Sequence, residues 1–248
     1  MALGILFDQN LCIGCGACEV GCQEEHGFKV HKADKLDENN FTYLEEINSI
    51  TFQRHLCMHC FNPACASACP VSALKKTKEG AVIYNPAICL GCRYCIYACP
   101  FNIPKYEWKS QIPRVRKCDF CYSTKISKGL PPACASACPT GATLFGVREE
   151  LLKTAHQRIN KEPKKYVSEV FGEKEAGGTS VLFLRLNEVT KTNLVRNIPD
   201  FALPDLPQKI LGKTPLVIVA LGLFLGGMRF LTDRKNKIRE EEQKKDEE

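Results

Sequence analysis

The sequence predicts an α+β fold of two nested units, followed by an extended arm and a single C-terminal membrane helix. Three observations carry that expectation. Sixteen cysteines fall into four groups of four, and none lies outside them. Short β-prone runs flank the outermost groups, residues 4–7 before the first and 142–145 after the last. An uncharged, almost wholly apolar stretch occupies residues 215–228.

The first group is Cys12-x2-Cys15-x2-Cys18-x3-Cys22, and the second is Cys57-x2-Cys60-x4-Cys65-x3-Cys69-Pro70. The third is Cys89-x2-Cys92-x2-Cys95-x3-Cys99-Pro100, and the fourth is Cys118-x2-Cys121-x12-Cys134-x3-Cys138-Pro139. The run C-x2-C-x2-C-x3-C-P is the ligand pattern with which bacterial ferredoxins hold a [4Fe–4S] cluster. Four groups therefore predict four [4Fe–4S] clusters, a wire for electrons. Three closely spaced thiolates wrap one cubane, while the fourth cysteine is expected to start a helix, point away and serve the other cluster of a pair. The proline after it ends the loop and sets φ for the next segment. Zinc sites also use C-x2-C pairs but not this spacing. Eight disulfides would suit a small secreted scaffold, not four matching quartets.

Groups two and three read as one bacterial-ferredoxin-like two-cluster unit, residues 51–112. Between them, residues 71–74 suggest a short helix or turn and 80–86 a strand feeding Cys89. Groups one and four are left to pair around that insert as a discontinuous unit, 1–50 and 113–150, whose flanking β-prone runs should pair with each other. With the fourth cysteine exchanged, one cluster takes Cys12, Cys15, Cys18 and Cys138, and its neighbour takes Cys118, Cys121, Cys134 and Cys22. In the insert, one takes Cys57, Cys60, Cys65 and Cys99, and the other takes Cys89, Cys92, Cys95 and Cys69.

The remaining segments follow in order. Residues 29–40 are charged and lack apolar periodicity, which predicts a surface loop. Residues 151–212 form a third segment: an amphipathic helix around 149–158, a strand over 180–186, and a proline-bearing arm over 187–212. A transmembrane helix is expected over 213–231, with Lys213 and Arg229 near its ends, and a charged tail over 232–248. Seven basic residues follow Met228, whereas only Lys209 and Lys213 precede the span from residue 197 onward. That asymmetry puts the tail in the cytoplasm and the cluster domain in the periplasm. Residues 1–30 do not read as an export leader, so the domain is expected to cross folded, with a partner bearing a twin-arginine signal. The alternative is an anchored domain facing the cytoplasm.

The formal charge of +6 counts cysteine as neutral. Four oxidised cluster units at about −2 each bring the balance to roughly −2, so nucleic-acid binding gains no support. No GxGxxG and no second metal motif is present, so no active site of its own is expected. His26, His31, His55, His59 and His156 are scattered. His59, between two ligands, is either a cluster-tuning contact or a packing residue. Arg93, Lys105, Arg114, Arg116 and Lys117 either raise nearby potentials, bind an acidic partner, or form a solvated basic face.

The layout resembles the four-cluster iron–sulfur subunits of membrane-bound molybdopterin oxidoreductases and nickel–iron hydrogenases, over nearly the whole chain. Cys57-Met58-His59-Cys60, the run from Cys69-Pro70 to Lys76, Gly91-Cys92-Arg93-Tyr94-Cys95, Ala98-Cys99-Pro100-Phe101 and Ile103-Pro104-Lys105-Tyr106 resemble the anchored hydrogenase type, as does the run from Gly172 to Thr179. Gly129-Leu130-Pro131-Pro132-Ala133-Cys134 and Cys138-Pro139-Thr140-Gly141-Ala142 are shared with the formate dehydrogenase type, whose beta subunit also ends in one membrane helix. The resemblance implies an electron-transfer subunit in the bacterial inner membrane. Its partners would be a catalytic subunit (molybdopterin/tungstopterin or nickel–iron), an integral membrane quinone- or haem-binding subunit and the lipid bilayer. The competing readings are a soluble ferredoxin shuttle and a cytoplasm-facing subunit of another molybdopterin or tungstopterin oxidoreductase.

Overall fold

The computed structural model describes residues 2–187, 194–195 and 197–246. The chain divides into two units, Met1–Pro204 and Asp205–Glu248. In chain order the first carries β1 (Leu3–Asp8), α1 (Ala17–Glu25), β2 (Thr42–Asn48), β3 (Thr51–Leu56), α2 (Ala64–Ser67), β4 (Leu74–Lys76) and β5 (Val82–Tyr84). It continues with α3 (Tyr94–Ala98), β6 (Lys105–Tyr106), β7 (Val115–Arg116), α4 (Ala133–Ser136), β8 (Thr143–Val147), α5 (Arg148–Lys161) and β9 (Val181–Leu184).

Strand β1 organises this unit. It pairs antiparallel with β8, from Leu3 opposite Val147 to Phe7 opposite Thr143, so the two β-prone runs flanking the outer cysteine groups do meet. Its other edge takes β9 in parallel, Ile5 opposite Val181 to Asp8 opposite Leu184. A parallel neighbour needs a crossover, and α5 lies within the connection from β8 to β9. Because side chains alternate along a strand, Ile5 and Phe7 enter the core that also holds Cys18, Cys57, Cys60 and Cys134. Leu6 faces the opposite way, onto Leu151, Ala155 and Ile159 of α5. Those three recur every four residues, one helical face. Beneath them, the buried Asp8 carboxylate accepts from Arg158 Nη1 at 2.5 Å and Tyr166 Oη at 3.2 Å.

Three local differences from the sequence expectation have simple causes. Of the helix or turn expected over residues 71–74, the structure takes the turn, at residues 70–71, and Leu74 already begins a strand, Leu74–Lys76, that runs antiparallel to β5 with Leu74 opposite Tyr84. The hairpin of β2 and β3, Thr42 opposite Leu56, lies under a segment whose glutamates break the strand signal. Within the arm over 187–212, residues 188–193 and 196 lie outside the described residues, and Asp205–Leu211 forms a short helix, α6. Its Pro207 falls in the first turn, where a missing N–H costs little.

The second unit consists of α6 and α7 (Thr214–Asp246), 33 residues long. At 1.5 Å per residue α7 spans about 50 Å. Its Thr214–Arg239 portion contains an 18-residue window with a mean hydropathy of 1.8, none of it buried, and is long and apolar enough to cross a membrane. The helix begins at Thr214 with Pro215 in its first turn, and runs past residue 231 into the charged tail. Lysine, arginine and glutamate are good helix formers, and Arg229 faces Asp233 one turn on, at 3.8 Å.

Candidate iron–sulfur centres

Each cysteine group opens with a C-x-x-C turn whose second intervening residue is left-handed: Gly14 at φ +69°, His59 at +50°, Gly91 at +68° and Phe120 at +67°. That conformation curls the loop so that backbone N–H groups face sulfur. Gly91 donates to Cys89 Sγ at 3.4 Å, Phe120 to Cys118 Sγ at 3.4 Å, and Ala73 to Cys69 Sγ at 3.2 Å. The third cysteine of each group, not the fourth, opens the helix. Cys18, Cys65, Cys95 and Cys134 are the second residues of α1, α2, α3 and α4, and the fourth cysteine follows one turn later. The x3 spacing is about one helical turn, so it carries the fourth cysteine one turn beyond the third rather than marking where the helix begins: Cys22 lies within α1, and Cys69, Cys99 and Cys138 fall just past α2, α3 and α4.

Thiols from different groups come together. Cys12 has Cys138 and Cys15 as charged neighbours, and Cys18 has Cys12 on its own side. Cys22 lies instead beside Cys134 and Cys121, and Cys118 beside Cys22 and Cys121. Gly21 permits this crossing, because a Cβ there would meet Ala137 Cβ at 3.0 Å and hold α1 off α4. Cys60 neighbours Cys57, Cys99 and Cys65, while Cys95 neighbours Cys89, Cys69 and Cys92. Three pairs of thiols that influence each other's charge link these neighbourhoods end to end: Cys18 with Cys134, Cys118 with Cys57, and Cys65 with Cys95.

Burial pushes the thiols up, to about 11 for Cys18 and Cys95 and about 12 for Cys65 and Cys121. Thiolates at these positions need a positive partner, and the fold provides several. Arg54 is fully buried, donating to Thr42 Oγ1 and Thr143 Oγ1, each at 3.0 Å. Its Nη2 is buried with no oxygen or nitrogen partner among the described residues. Burial works against its charge, yet Cys134, Cys18 and Cys22 hold its pKa above the usual value. Lys117 is also buried, donating to the carbonyls of Val82 and Cys118. Burial opposes its charge too, and the thiols of Cys57, Cys65 and Cys118 outweigh it. Lys76 donates to His59 O at 2.6 Å and Gly80 O at 2.7 Å, and burial brings it down to about 8 against the pull of Cys60 and Cys57. Buried cations among clustered thiols are stable only beside compensating negative charge. The donor set and these cations fit anionic iron–sulfur clusters.

The histidines separate by partner. His26 donates from Nδ1 to Cys22 O at 2.8 Å and from Nε2 to Asp119 at 3.1 Å. Burial lowers its pKa, but these two acceptors raise it overall. His55 and His156 meet Glu45 and Glu173, whereas His31 is exposed and bonds the carbonyl of Lys29. His59 reaches Cys118 Sγ at 3.5 Å. Among the five basic residues singled out in the sequence, Lys117 is the buried one. Arg116 pairs with Glu107 at 2.6 Å, Lys105 donates to the carbonyl of Asn102, Arg114 is exposed, and Arg93 lies over Trp108 and Tyr106. Arg54 and Lys76 escaped the sequence reading, since nothing in a strand sequence marks a cation as buried. A charged residue three positions before the Cys57 loop was the available signal for Arg54.

Cys15 and Cys92 are the exposed cysteines. Cys15 opens onto a groove of about 860 Å³ lined by Val20, Tyr43, Phe52, Glu19 and Glu45. Around Cys92 the exposed side chains are Leu90, Tyr94, Tyr97 and Trp108.

Cysteine loops of this form, in this fold, define an iron–sulfur electron-transfer protein. Residues 48–148 match the family model of the 4Fe-4S dicluster domain. Over 257 aligned residues the chain is 35% identical to a protein of Nitratidesulfovibrio vulgaris, covering 97% of this chain and 69% of that one. It is 37% identical to the hydrogenase-2 operon protein HybA of Escherichia coli O157:H7, over 74% of this chain and 70% of the relative. With the iron–sulfur subunit of the nitrate-inducible formate dehydrogenase of Escherichia coli K12 it shares 34% identity, over 78% and 71%. The chain belongs to the family of 4Fe–4S iron–sulfur subunits of hydrogenase- and formate dehydrogenase-type complexes.

Proposed function

We propose that the chain carries electrons through four [4Fe–4S] clusters between a catalytic subunit of formate dehydrogenase or hydrogenase type and a membrane subunit that reacts with quinone. The ligand sets are Cys12, Cys15, Cys18 and Cys138; Cys118, Cys121, Cys134 and Cys22; Cys57, Cys60, Cys65 and Cys99; and Cys89, Cys92, Cys95 and Cys69. Each cluster, when bound, takes up and releases one electron at a time. The nested two-unit arrangement is favoured by the pairing of β1 with β8 around everything between them.

The observation that carries this reading is the continuous series of thiols close enough to influence one another's charge. It runs from the neighbourhood of exposed Cys15, through Cys18–Cys134, Cys118–Cys57 and Cys65–Cys95, to that of exposed Cys92. A wire needs a middle shielded from solvent, because solvent access and local dielectric set the cluster potentials, and two accessible ends. The groove at Cys15 and the aromatic surface around Cys92 suit the two docking sites. We expect about sixteen irons and sixteen acid-labile sulfides per chain from anaerobically prepared protein; a value near twelve, or stoichiometric zinc, removes the four-cluster reading.

The helix α7 anchors the chain in the bacterial inner membrane, with its basic end in the cytoplasm and the cluster unit in the periplasm. The basis is the excess of lysine and arginine after Met228. Protease added outside spheroplasts should then digest the cluster unit and spare the 240–248 tail. Protection of the cluster unit with digestion of the tail would establish the cytoplasm-facing arrangement instead.

A further inference from the structure

We infer that His59 is a positioning residue for electron transfer: it donates a hydrogen bond across the joint between two cluster sites and raises the potential of the cluster bound by Cys118. The inference rests on the ligand sets proposed above. His59 belongs to the Cys57-x2-Cys60 loop, yet its ring contacts a cysteine 59 residues further on. The tautomer follows from the contacts. Val82 N–H donates to Nδ1 at 2.9 Å, so Nδ1 is unprotonated and the ring proton of neutral imidazole sits on Nε2. Nε2 lies 3.5 Å from Cys118 Sγ, an N–H···S contact.

The backbone adds an independent reason. His59 occupies the left-handed position that the corresponding loops of groups one and three fill with Gly14 and Gly91. A bulky residue there carries backbone strain, which glycine would relieve. Group four is the other exception, and its residue, Phe120, packs against His59 with ring centroids 4.7 Å apart. Two loops thus meet through the two side chains that break the glycine pattern, at the point where Cys57 and Cys118 are neighbours. Phe120 supplies a wall without a donor; His59 supplies the donor. Its ring is 1% exposed and its carbonyl is clamped by Lys76 Nζ at 2.6 Å, so the N–H has little freedom to turn elsewhere.

A donor on a cluster's thiolate stabilises the extra negative charge of the reduced form and so raises the potential. At this joint the effect counteracts burial, which disfavours the more highly charged reduced state. The cluster in the middle of the wire is thereby kept from becoming a barrier between its neighbours.

The test compares His59→Phe, which keeps a ring and removes the donor, with His59→Gln, which retains an N–H donor, in the purified complex. In an EPR-monitored redox titration, His59→Phe should lower one of the four midpoint potentials and leave three unchanged, and His59→Gln should recover most of the shift. The parent complex with ¹⁵N-labelled histidine should show a histidine-nitrogen and an exchangeable-proton coupling to that reduced cluster that are both lost in His59→Phe, while any couplings from the Phe120 N–H and from His26, which lies 3.9 Å from Cys22 Sγ, persist in the variant. Full iron content with four unmoved potentials in His59→Phe overturns the inference. Absence of both couplings in the parent complex overturns it too, even if the variants fail to assemble. Iron well below about sixteen per chain in the parent protein would sink the ligand reading instead.

Discussion

Cys22→Ser is expected to remove about a quarter of the iron and to leave the clusters served by groups two and three intact. Cys22 stands ten residues from Cys12, yet the exchanged ligand pattern assigns it to the cluster of the distant group. In the fold it leaves α1 on the side facing α4, beside Cys134 and Cys121, with Cys118 as a further neighbour. The signal lost should therefore be the one also lost on Cys121→Ser, and different from the one lost on Cys15→Ser. EPR of the dithionite-reduced variants, with iron and sulfide analysis, reads this directly. If Cys22→Ser and Cys15→Ser abolish the same signal, the exchanged ligand sets are wrong. The insert should tolerate the change, because Cys60 and Cys95 have their neighbours within groups two and three.

Ending the chain at Lys213 should release the cluster unit from the membrane. Oxidation of the catalytic partner's substrate with an artificial dye should persist, while quinone reduction falls by about a hundredfold or more. The removed helix Thr214–Asp246 contains the apolar stretch of residues 215–228, whereas the cluster unit has its own cores around β1. Tethering raises effective concentration by amounts of that order without adding any contact at the reacting site. Assay of isolated complexes with dye and with a quinone analogue separates the two activities. Unchanged quinone reduction would mean that the helix takes no part in docking to the membrane subunit, and would end the anchored-wire proposal.

The parts of the fold legible in the sequence are those specified by short-range pattern. Cysteine spacing identified the loops, and the β-prone runs at 4–7 and 142–145 identified strands that pair in the structure. The alternation of apolar residues in α5 announced the face formed by Leu151, Ala155 and Ile159. The strand expected over 180–186 is present as Val181–Leu184, but its place beside β1 was not legible. Parallel pairing across a crossover helix depends on which edge of β1 is free, a property of the assembled sheet. The hairpin of β2 and β3 was missed because Glu45, Glu46 and Arg54 interrupt its apolar pattern. Each of them finds a partner or a place only once the chain is folded.

By itself, then, the amino-acid sequence determined that this protein handles iron–sulfur chemistry and has a helix fit for a membrane. Both follow from ligand spacing and from uninterrupted apolarity, which act over one or two turns of chain. Only the tertiary structure decided which thiols are neighbours, that Arg54, Lys76 and Lys117 stand among them as buried cations, and that His59 leans from one loop onto the sulfur of another. Those relations join residues dozens of positions apart. They are set by the packing of α1 on α4 and of one left-handed loop against the next, for which a linear pattern carries no periodic signature.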